Sequence, residues 1–216
     1  MIVHLVTDRH RLAAGCAGPA ARQCLLRQIE YAIEAGIDVV QIRERDLDAR
    51  ELSRLVRDAV AGAAGTPTRI VVNDRADVAI ACGAAGVHLR SDSMPASVVR
   101  SIAPEGFLIG RSVHSIAEAR EACAAADYLL AGTVWATPSK PPGAVPLLGT
   151  DGLAAVAAAV DVPVVAIGGV SVARVRELRE AGAAGLAGIG LFLDATRQGC
   201  RSVQLTDMMT VLRKLL

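Results

Sequence analysis

Short apolar runs alternate with amphipathic stretches along the whole chain. Runs such as Val164-Val165-Ala166-Ile167 are apolar on both faces, which is typical of buried parallel strands. Glycines such as Gly36 and Gly182 follow the amphipathic stretches, where they can end helices. The pattern predicts strands near 2–6, 38–42, 69–73, 86–89, 107–111, 127–131, 164–167 and 185–189. It predicts helices near 20–35, 49–64, 75–83, 96–103, 115–126, 149–160, 171–182 and 200–215.

Repetition of this strand–helix unit along 216 residues predicts an α/β fold, a single (β/α)8 TIM barrel that forms one domain over residues 1–216. A doubly wound open sheet is the alternative. Its glycine-rich first turn is missing, because Thr7-Asp8-Arg9-His10 follows the first strand. We expect the proline-rich segment 136–149 to be a functional loop or a lid.

The composition of the chain argues against several classes of partner and of structural site. The chain is 52% hydrophobic and 2% aromatic with a net charge of +1, which argues against nucleic acid or an anionic membrane surface as a partner. The five cysteines are odd in number and have no CxxC spacing, so we expect neither a disulfide framework nor a structural zinc site. The start lacks signal-peptide features, and no apolar run is long enough to span a bilayer. These features predict a soluble cytoplasmic protein, and they allow a homo-oligomer.

The segment from Ile109 to Ser115 is the first candidate for chemistry. Arg111, Ser112 and His114 fall where a predicted strand meets a predicted helix, the position at which α/β proteins bind ligands. Histidine titrates near neutral pH, so His114 is a candidate proton-transfer residue. The alternative is a surface histidine beside Ser115, which would cap the following helix.

Polar residues also follow the other predicted strands. Period-two alternation places Gln41, Arg43 and Arg45 on one side of the second strand, and two guanidiniums there favour an anionic ligand. Glycine-rich turns follow the last two strands, where barrels commonly hold a phosphate through backbone N–H groups. The same glycines could simply allow tight turns. His4 is predicted to be a satisfied core histidine, and His88 to be structural.

Several motifs in sequence order resemble the thiamine phosphate synthase/TenI family. They span nearly the whole chain, from Thr7 to Phe192. The matching segments are Gln41-Ile42-Arg43-Glu44-Arg45, Asn73-Asp74-Arg75-x-Asp77, Gly86-Val87-His88-Leu89, Gly110-x-Ser112-x-His114, Asp127-Tyr128, Thr137-Pro138-Ser139-Lys140 and Ala166-Ile167-Gly168-Gly169. The resemblance implies a (β/α)8 barrel that acts in thiamine biosynthesis on a thiazole phosphate.

The family includes two activities, and the departures from its pattern bear on the choice. The synthase couples a pyrimidine diphosphate to thiazole phosphate with magnesium, whereas the TenI-type tautomerase aromatises a dihydrothiazole carboxylate phosphate by proton transfer. Asp74 matches one of the two aspartates that bind magnesium in the synthase pattern, but Ser93 stands where the second aspartate is expected, with Asp92 one residue away. Arg90 replaces a glycine in the same motif. We therefore expect the TenI branch first and the synthase as the alternative.

The resemblance also assigns roles to residues. In a tautomerase, His114 with Ser112 would move the proton, without a cofactor. In a synthase, Asp74 and Asp92 would bind magnesium, and a pyrimidine diphosphate would be the second substrate. The substrate-binding residues implied by the motifs are Gln41, Arg43, Arg45, Asn73, Arg111, Thr137, Ser139, Lys140, Gly168, Gly169 and Gly190. A third alternative is a non-catalytic ligand-binding or regulatory protein on the same barrel.

Overall fold

Eight parallel strands close into a barrel in the computed structural model of the chain. The structure describes residues 1–14, 18–137, 143, 146–193, 196 and 202–215. Each strand pairs with the next along the chain, and β8 pairs with β1 to complete the circle. The strands are β1 Ile2–Val6, β2 Val39–Ile42, β3 Arg69–Asn73, β4 Gly86–Leu89, β5 Leu108–Val113, β6 Tyr128–Gly132, β7 Val164–Ile167 and β8 Gly185–Gly188. The predicted (β/α)8 TIM barrel is confirmed.

Helices surround the barrel between the strands. They are α1 Arg9–Leu12, α2 Gly18–Glu34, α3 Ala49–Ala63, α4 Ala76–Ala81, α5 Ala96–Arg100, α6 Ile116–Ala122, α7 Gly149–Ala158, α8 Val175–Glu180, α9 Gly190–Leu193 and α10 Ser202–Leu215, with a 3-10 turn at Val172–Arg174 before α8. The sequence pattern did not predict α1 and α9, because four residues are too few to show a helical period. In the ranges that the structure describes, no helix is long and apolar enough to cross a membrane.

The apolar core lies mainly between the strands and the surrounding helices. Leu55, Leu89, Ile109 and Leu178 are fully buried in this outer layer. Inside the barrel, the apolar cluster is much smaller and is formed by Tyr128, Leu130, Val165 and Ala187. The interior therefore has room for other side chains.

Polar side chains occupy much of the barrel interior. Each of β1 to β6 contributes one, and they are His4, Gln41, Asn73, His88, Ser112 and Tyr128. Gln41 Nε2 donates to Asn73 Oδ1 at 3.0 Å, and His88 Nε2 lies 2.9 Å from Ser112 Oγ. The His88 ring lies 5.7 Å from the Tyr128 ring and 6.4 Å from the His4 ring. The strands thus bring a connected polar layer beneath the mouth of the barrel.

His4 differs from its prediction as a satisfied core histidine. It is completely buried, and neither ring nitrogen makes a hydrogen bond of regular geometry with the described residues, although the Gln41 side chain lies close enough to favour the charged ring slightly. Burial lowers the pKa of His4 from 6.5 to about 3, because the charged imidazole would lose its hydration. The ring therefore stays neutral at physiological pH.

Gly110 makes room for the aromatic part of this layer. A Cβ atom there would collide with Tyr128 Cζ and would lie 2.6 Å from His88 Nδ1. Both rings are buried, so they have little space in which to move aside. A side chain at position 110 would therefore overpack the barrel interior.

We predict that Gly110→Ala lowers the free energy of unfolding by roughly 1–3 kcal/mol, the usual cost of overpacking a core. Urea denaturation of both proteins gives the difference. Gly62→Ala is the matched control, because a Cβ there meets only Ile33 Cδ1 at 3.8 Å, and alanine is the better helix former. Equal stabilities of the two variants would contradict the proposed tight contact at Gly110.

Candidate active site at the carboxyl ends of the strands

Two arginines after β2 carry positive charge at the mouth of the barrel. Arg43 is half-buried and Arg45 is exposed. Neither guanidinium makes a hydrogen bond or an ion pair with any residue in the described part of the chain. Burial, together with the nearby charge of Arg45, lowers the pKa of Arg43. A half-buried guanidinium without a counter-ion is a natural binding group for an anion.

Glu44, between these arginines, makes no ion pair with either of them, although its charge and that of Asp8 act on Arg43 from a distance. Its buried carboxylate accepts a hydrogen bond from Thr7 Oγ1 at 2.7 Å and binds Arg9 Nη1 at 2.9 Å. Thr7 Oγ1 in turn accepts from the backbone N–H of Arg43 at 2.9 Å. The period-two alternation of an extended chain separates Glu44 from Arg43. The arginines therefore keep their charge for a ligand.

Gln41 and Asn73 form a buried pair beneath the arginines. Their side chains share one hydrogen bond, whereas Gln41 Oε1 has no partner in the described residues. A buried carbonyl oxygen without a partner is costly, so it favours a donor from a ligand or from water. The structure thus brings together these two predicted substrate-binding residues and leaves one acceptor unused.

The predicted metal residues lie beside a guanidinium. Asp74 has a left-handed backbone with φ of 65°, and its Oδ1 accepts a hydrogen bond from Ser93 Oγ. Arg90 Nε lies 3.3 Å from Asp74 Oδ2 and 3.1 Å from Asp92 Oδ1. Arg90 Nη2 also donates to Asp92 Oδ2 at 3.2 Å. One guanidinium therefore bridges the two carboxylates that were predicted to bind magnesium.

These residues do not fit the magnesium ion that the synthase resemblance implies. Mg²⁺ needs nearly octahedral oxygen ligands and usually takes carboxylates. The two carboxylates on offer are both engaged by the cation Arg90. The local chemistry is that of an arginine-centred ion-pair cluster.

β5 separates the three residues that the sequence placed together. It continues to Val113, so Arg111 and Ser112 lie within the strand and point to opposite faces. Ser112 faces His88 inside the barrel. Arg111 donates to the backbone carbonyls of Met94 at 2.6 Å, Ser91 at 2.9 Å and Ser93 at 3.2 Å. Its guanidinium thus holds the loop after β4 and is not turned to the interior, in contrast to its predicted contact with substrate.

His114 lies beyond the end of β5 and is exposed. Its Nδ1 bonds to the backbone carbonyl of Gly132, an acceptor, so Nδ1 carries the proton in the neutral ring. Nε2 is then left as the basic nitrogen. Ser115 caps α6, because its Oγ accepts from the backbone N–H of Glu118 at 3.2 Å. The helix-cap alternative is therefore correct for Ser115, while His114 keeps a nitrogen able to accept a proton.

The glycine-rich turn after β7 packs against the segment after β6. Gly168 and Gly169 have φ values of 98° and 66°, which favour glycine. A Cβ at Gly168 would lie 2.5 Å from Thr133 Cγ2, and one at Gly169 would lie 2.7 Å from the carbonyl oxygen of Ala136. The turn therefore lies against the chain that leads to Thr137. The predicted ligands Ser139 and Lys140 lie outside the described residues.

Sequence reasoning missed Arg11, which lies beside the glycine turn after β8. Gly190 begins α9, and Arg11 Nη2 would lie 3.5 Å from a Cβ built on it. Arg11 belongs to α1, the short helix that the hydrophobic pattern did not reveal. The only signal in the sequence was its place just after the first strand, among residues that line a barrel mouth.

Comparison with known proteins identifies the family. Residues 3–192 match the family model described as thiamine monophosphate synthase. Thiamine-phosphate synthase of Haloarcula marismortui is 46% identical over 149 residues, covering 66% of this chain and 69% of the relative. Thiamine-phosphate synthase of Roseiflexus castenholzii is 38% identical over 176 residues, covering 80% of this chain and 72% of the relative. The structure of thiamine phosphate pyrophosphorylase from Pyrococcus furiosus has a TM-score of 0.81 at 30% identity, covering 100% of this chain and 96% of that one.

The chain belongs to the thiamine monophosphate synthase family. The predicted place in thiamine biosynthesis is therefore confirmed. These matches carry nothing specific to the TenI branch. They favour the synthase, which the sequence pattern gave as the alternative, over the tautomerase that it put first.

The buried histidines make stability depend on pH. Burial lowers the pKa of His4 to about 3 and that of His88 well below 6.5, so both bind protons more readily in the unfolded chain. Between pH 6.5 and 3 the unfolded state is therefore favoured increasingly as pH falls. We predict a loss of about 2 kcal/mol from His4 between about pH 7.5 and pH 5, with a further loss from His88.

Urea denaturation at the two pH values measures this effect. His4→Phe should reduce the pH-dependent loss by about 2 kcal/mol, because it removes one titrating ring. Tyr128→Phe is the control in the same cluster. Burial raises the pKa of Tyr128, so its hydroxyl stays protonated in this range and the loss should be unchanged. A His4→Phe protein with the wild-type pH dependence would refute the assignment.

Proposed function

We propose that the protein is a thiamine-phosphate synthase, which joins an aminopyrimidine diphosphate to a thiazole phosphate. The structural observation behind it is an anion site, the guanidiniums of Arg43 and Arg45 without a hydrogen bond or an ion pair in the described residues, and the preference for the synthase over other anion-binding reactions rests on the names of the relatives. They lie at the end of β2, beside the buried Gln41–Asn73 pair. The synthase names of relatives at 38% and 46% identity support the same reaction.

In this reaction, the bond between the pyrimidine methylene carbon and the diphosphate oxygen breaks. The diphosphate leaves with the electron pair, and the thiazole nitrogen then forms a bond to the methylene carbon. Negative charge develops on the leaving oxygen, so preformed positive charge near it lowers the barrier. Arg43 and Arg45 supply such charge, and Asn73 lies beside them as a hydrogen-bonding group. Arginine suits this role because its fork binds phosphate oxygens in pairs.

The polar interior would orient the pyrimidine. Gln41 Oε1 is a buried acceptor without a described partner, and it can accept a hydrogen bond from the amino group of the pyrimidine. Ser112 is held by His88, which stays neutral because burial lowers its pKa. Together these groups would fix the plane of the ring before ionisation, and such orientation reduces the entropic part of the barrier.

The glycine turns would hold the phosphate of the thiazole. Gly168, Gly169 and Gly190 allow close approach of the backbone, whose N–H groups bind phosphate well. Arg11 adds a positive charge beside Gly190. Thr137 follows the segment against which the Gly168–Gly169 turn packs. The two substrates would thus meet over the polar interior, with the phosphate site after β7 and β8 and the arginines after β2 lying to either side of β1.

A thiazole tautomerase is the second candidate, and His114 favours it. The Gly132 carbonyl fixes the neutral His114 tautomer so that Nε2 can accept a proton. In that reaction the ring would take a proton from one carbon of the dihydrothiazole and return it to another. The arginines after β2 would pair with the substrate carboxylate. A non-catalytic ligand-binding protein is the third candidate, and binding without turnover would identify it.

We predict that the purified protein forms thiamine phosphate from the aminopyrimidine diphosphate and the thiazole phosphate. Arg43→Gln should lower kcat/KM roughly 10- to 100-fold, because a charged hydrogen bond contributes about 1.5–3 kcal/mol. Arg57→Gln is the matched control, since Arg57 is exposed on α3, away from the mouth. Product formation is followed by chromatography. Absence of thiamine phosphate over long incubation would contradict the proposal.

A second assay tests the tautomerase. Incubation with the dihydrothiazole carboxylate phosphate is followed by the ultraviolet absorbance of the aromatic product. If this reaction is the main activity, His114→Gln should slow it roughly 10²- to 10⁴-fold, as expected for loss of a proton-transfer residue. Arg57→Gln again serves as the control. A synthase as proposed should show at most slow conversion, to which His114→Gln makes little difference.

A further inference from the structure

The loop after β4 presents a guanidinium at the position where the family pattern has a glycine. Arg90 lies between Asp74 and Asp92, 3.3 Å and 3.1 Å from one oxygen of each. Its backbone N–H also donates to Ser93 Oγ at 3.1 Å, and Ser93 Oγ donates to Asp74. Arg90 and Ser93, the two residues that depart from the synthase pattern, therefore contact the same carboxylate.

We infer that Arg90 acts as a built-in cation in place of a magnesium ion, so that the diphosphate binds to this protein without a divalent metal. This inference rests on the proposed function, because it concerns the diphosphate side of the same site. It assigns Arg90 a substrate-binding role that neither the motif nor the names of the relatives provides. It also accounts for the concurrent change of the glycine to Arg90 and of the aspartate to Ser93.

The charge at Asp74 supports this inference. A carboxylate facing a diphosphate repels it unless a cation stands between them. Arg90 and Ser93 engage the two oxygens of Asp74, one each. A divalent ion at the same carboxylate would have to displace the guanidinium, and it would find no second free carboxylate, because Asp92 is also bound to Arg90. A single cation thus already satisfies the carboxylates.

The guanidinium has a donor left for a ligand. Arg90 Nη2 donates to Asp92, whereas Nη1 and the buried Nε have no hydrogen-bond partner among the described residues, although Nε lies within ion-pair distance of both carboxylates. Burial and then the charge of Arg45 lower the pKa of Arg43, Asp8 and Glu44 raise it, and the positive charge of Arg90 adds a smaller lowering effect, so both cations act at one mouth. Arg90 and Arg43 can therefore bind different oxygens of one diphosphate.

The loop is held in place from outside the barrel. Arg111 binds three carbonyl oxygens of the loop, those of Ser91, Ser93 and Met94. This explains why an arginine on the outer face of β5 lies so close to the site without entering it. A fixed loop keeps Arg90 between its carboxylates before a ligand arrives, so little ordering is needed on binding.

Calorimetric titration with inorganic pyrophosphate, in EDTA and then in excess magnesium chloride, tests the inference. We expect wild-type protein to bind pyrophosphate in EDTA, with less than about a threefold gain from magnesium. Arg90→Gln should weaken binding in EDTA roughly tenfold or more, the usual scale for one charge-assisted hydrogen bond. Arg90→Lys should keep part of the affinity, because it retains the charge but not the fork. Arg57→Gln should bind like the wild type.

The double variant Arg90→Gly, Ser93→Asp restores the two-carboxylate pattern. It should bind pyrophosphate weakly in EDTA and at least tenfold more tightly with magnesium. Circular dichroism and thermal melting show whether each variant is folded. If one of the other variants does not fold, Arg90→Lys still tests the inference. Wild-type binding only with magnesium, no binding in either condition, or unchanged binding by Arg90→Gln would each overturn the inference. The titration measures pyrophosphate binding without turnover. A failed coupling assay would therefore contradict the proposed synthase activity without deciding whether Arg90 replaces magnesium in binding.

Discussion

The site depends on keeping Glu44 away from its neighbours in sequence. Thr7 and Arg9 bind its buried carboxylate after β1, and Arg43 and Arg45 are thereby left without a counter-ion in the described residues. If Glu44 turned towards the mouth, it would neutralise one of them and weaken any anion site. The contact between β1 and β2 that closes one side of the barrel thus also maintains the charge of the mouth. Parallel pairing fixes this arrangement, because neighbouring strands end at the same level.

The barrel itself was predictable because its signal is repeated. Apolar runs such as Val164–Ile167 mark strands that are buried on both faces, and the structure places that strand within the predicted bounds. The short helices α1 and α9 carry no such repeated signal, so Arg11 and its approach to Gly190 could not be foreseen. Arg111 was misplaced for a related reason. The strand continues to Val113, two residues beyond its predicted end at residue 111, so Arg111 follows the alternation of the strand and does not lie in the loop at the mouth.

The ion-pair cluster shows a different limit of sequence reasoning. Counting along the motif identified Ser93 as the departure from the synthase pattern and Arg90 as the replaced glycine. It did not show that Arg90 lies between Asp74 and Asp92, because that arrangement depends on the left-handed backbone of Asp74 and on the loop that Arg111 holds. His4 is a similar case. Its burial followed from the strand pattern, but its unpartnered nitrogens depend on which side chains the other strands bring inside.

The two reactions differ in the amount of negative charge that the cations of the site must balance. A tautomerase needs charge for one carboxylate and one phosphate, whereas a synthase must also stabilise a departing diphosphate. Arg43 and Arg45 suit either task, and so do the glycine turns after β7 and β8. In the tautomerase reaction Arg90 has no assigned role, because Arg43, Arg45 and the glycine turns already balance the carboxylate and the phosphate. The pairing of Asp74 with Arg90 has a use if the ligand is a diphosphate that must be bound and then released. Asp74 and Asp92 partly balance the charge of Arg90, which would weaken its hold on a bound diphosphate. When the product leaves, the guanidinium would pair with these two carboxylates again.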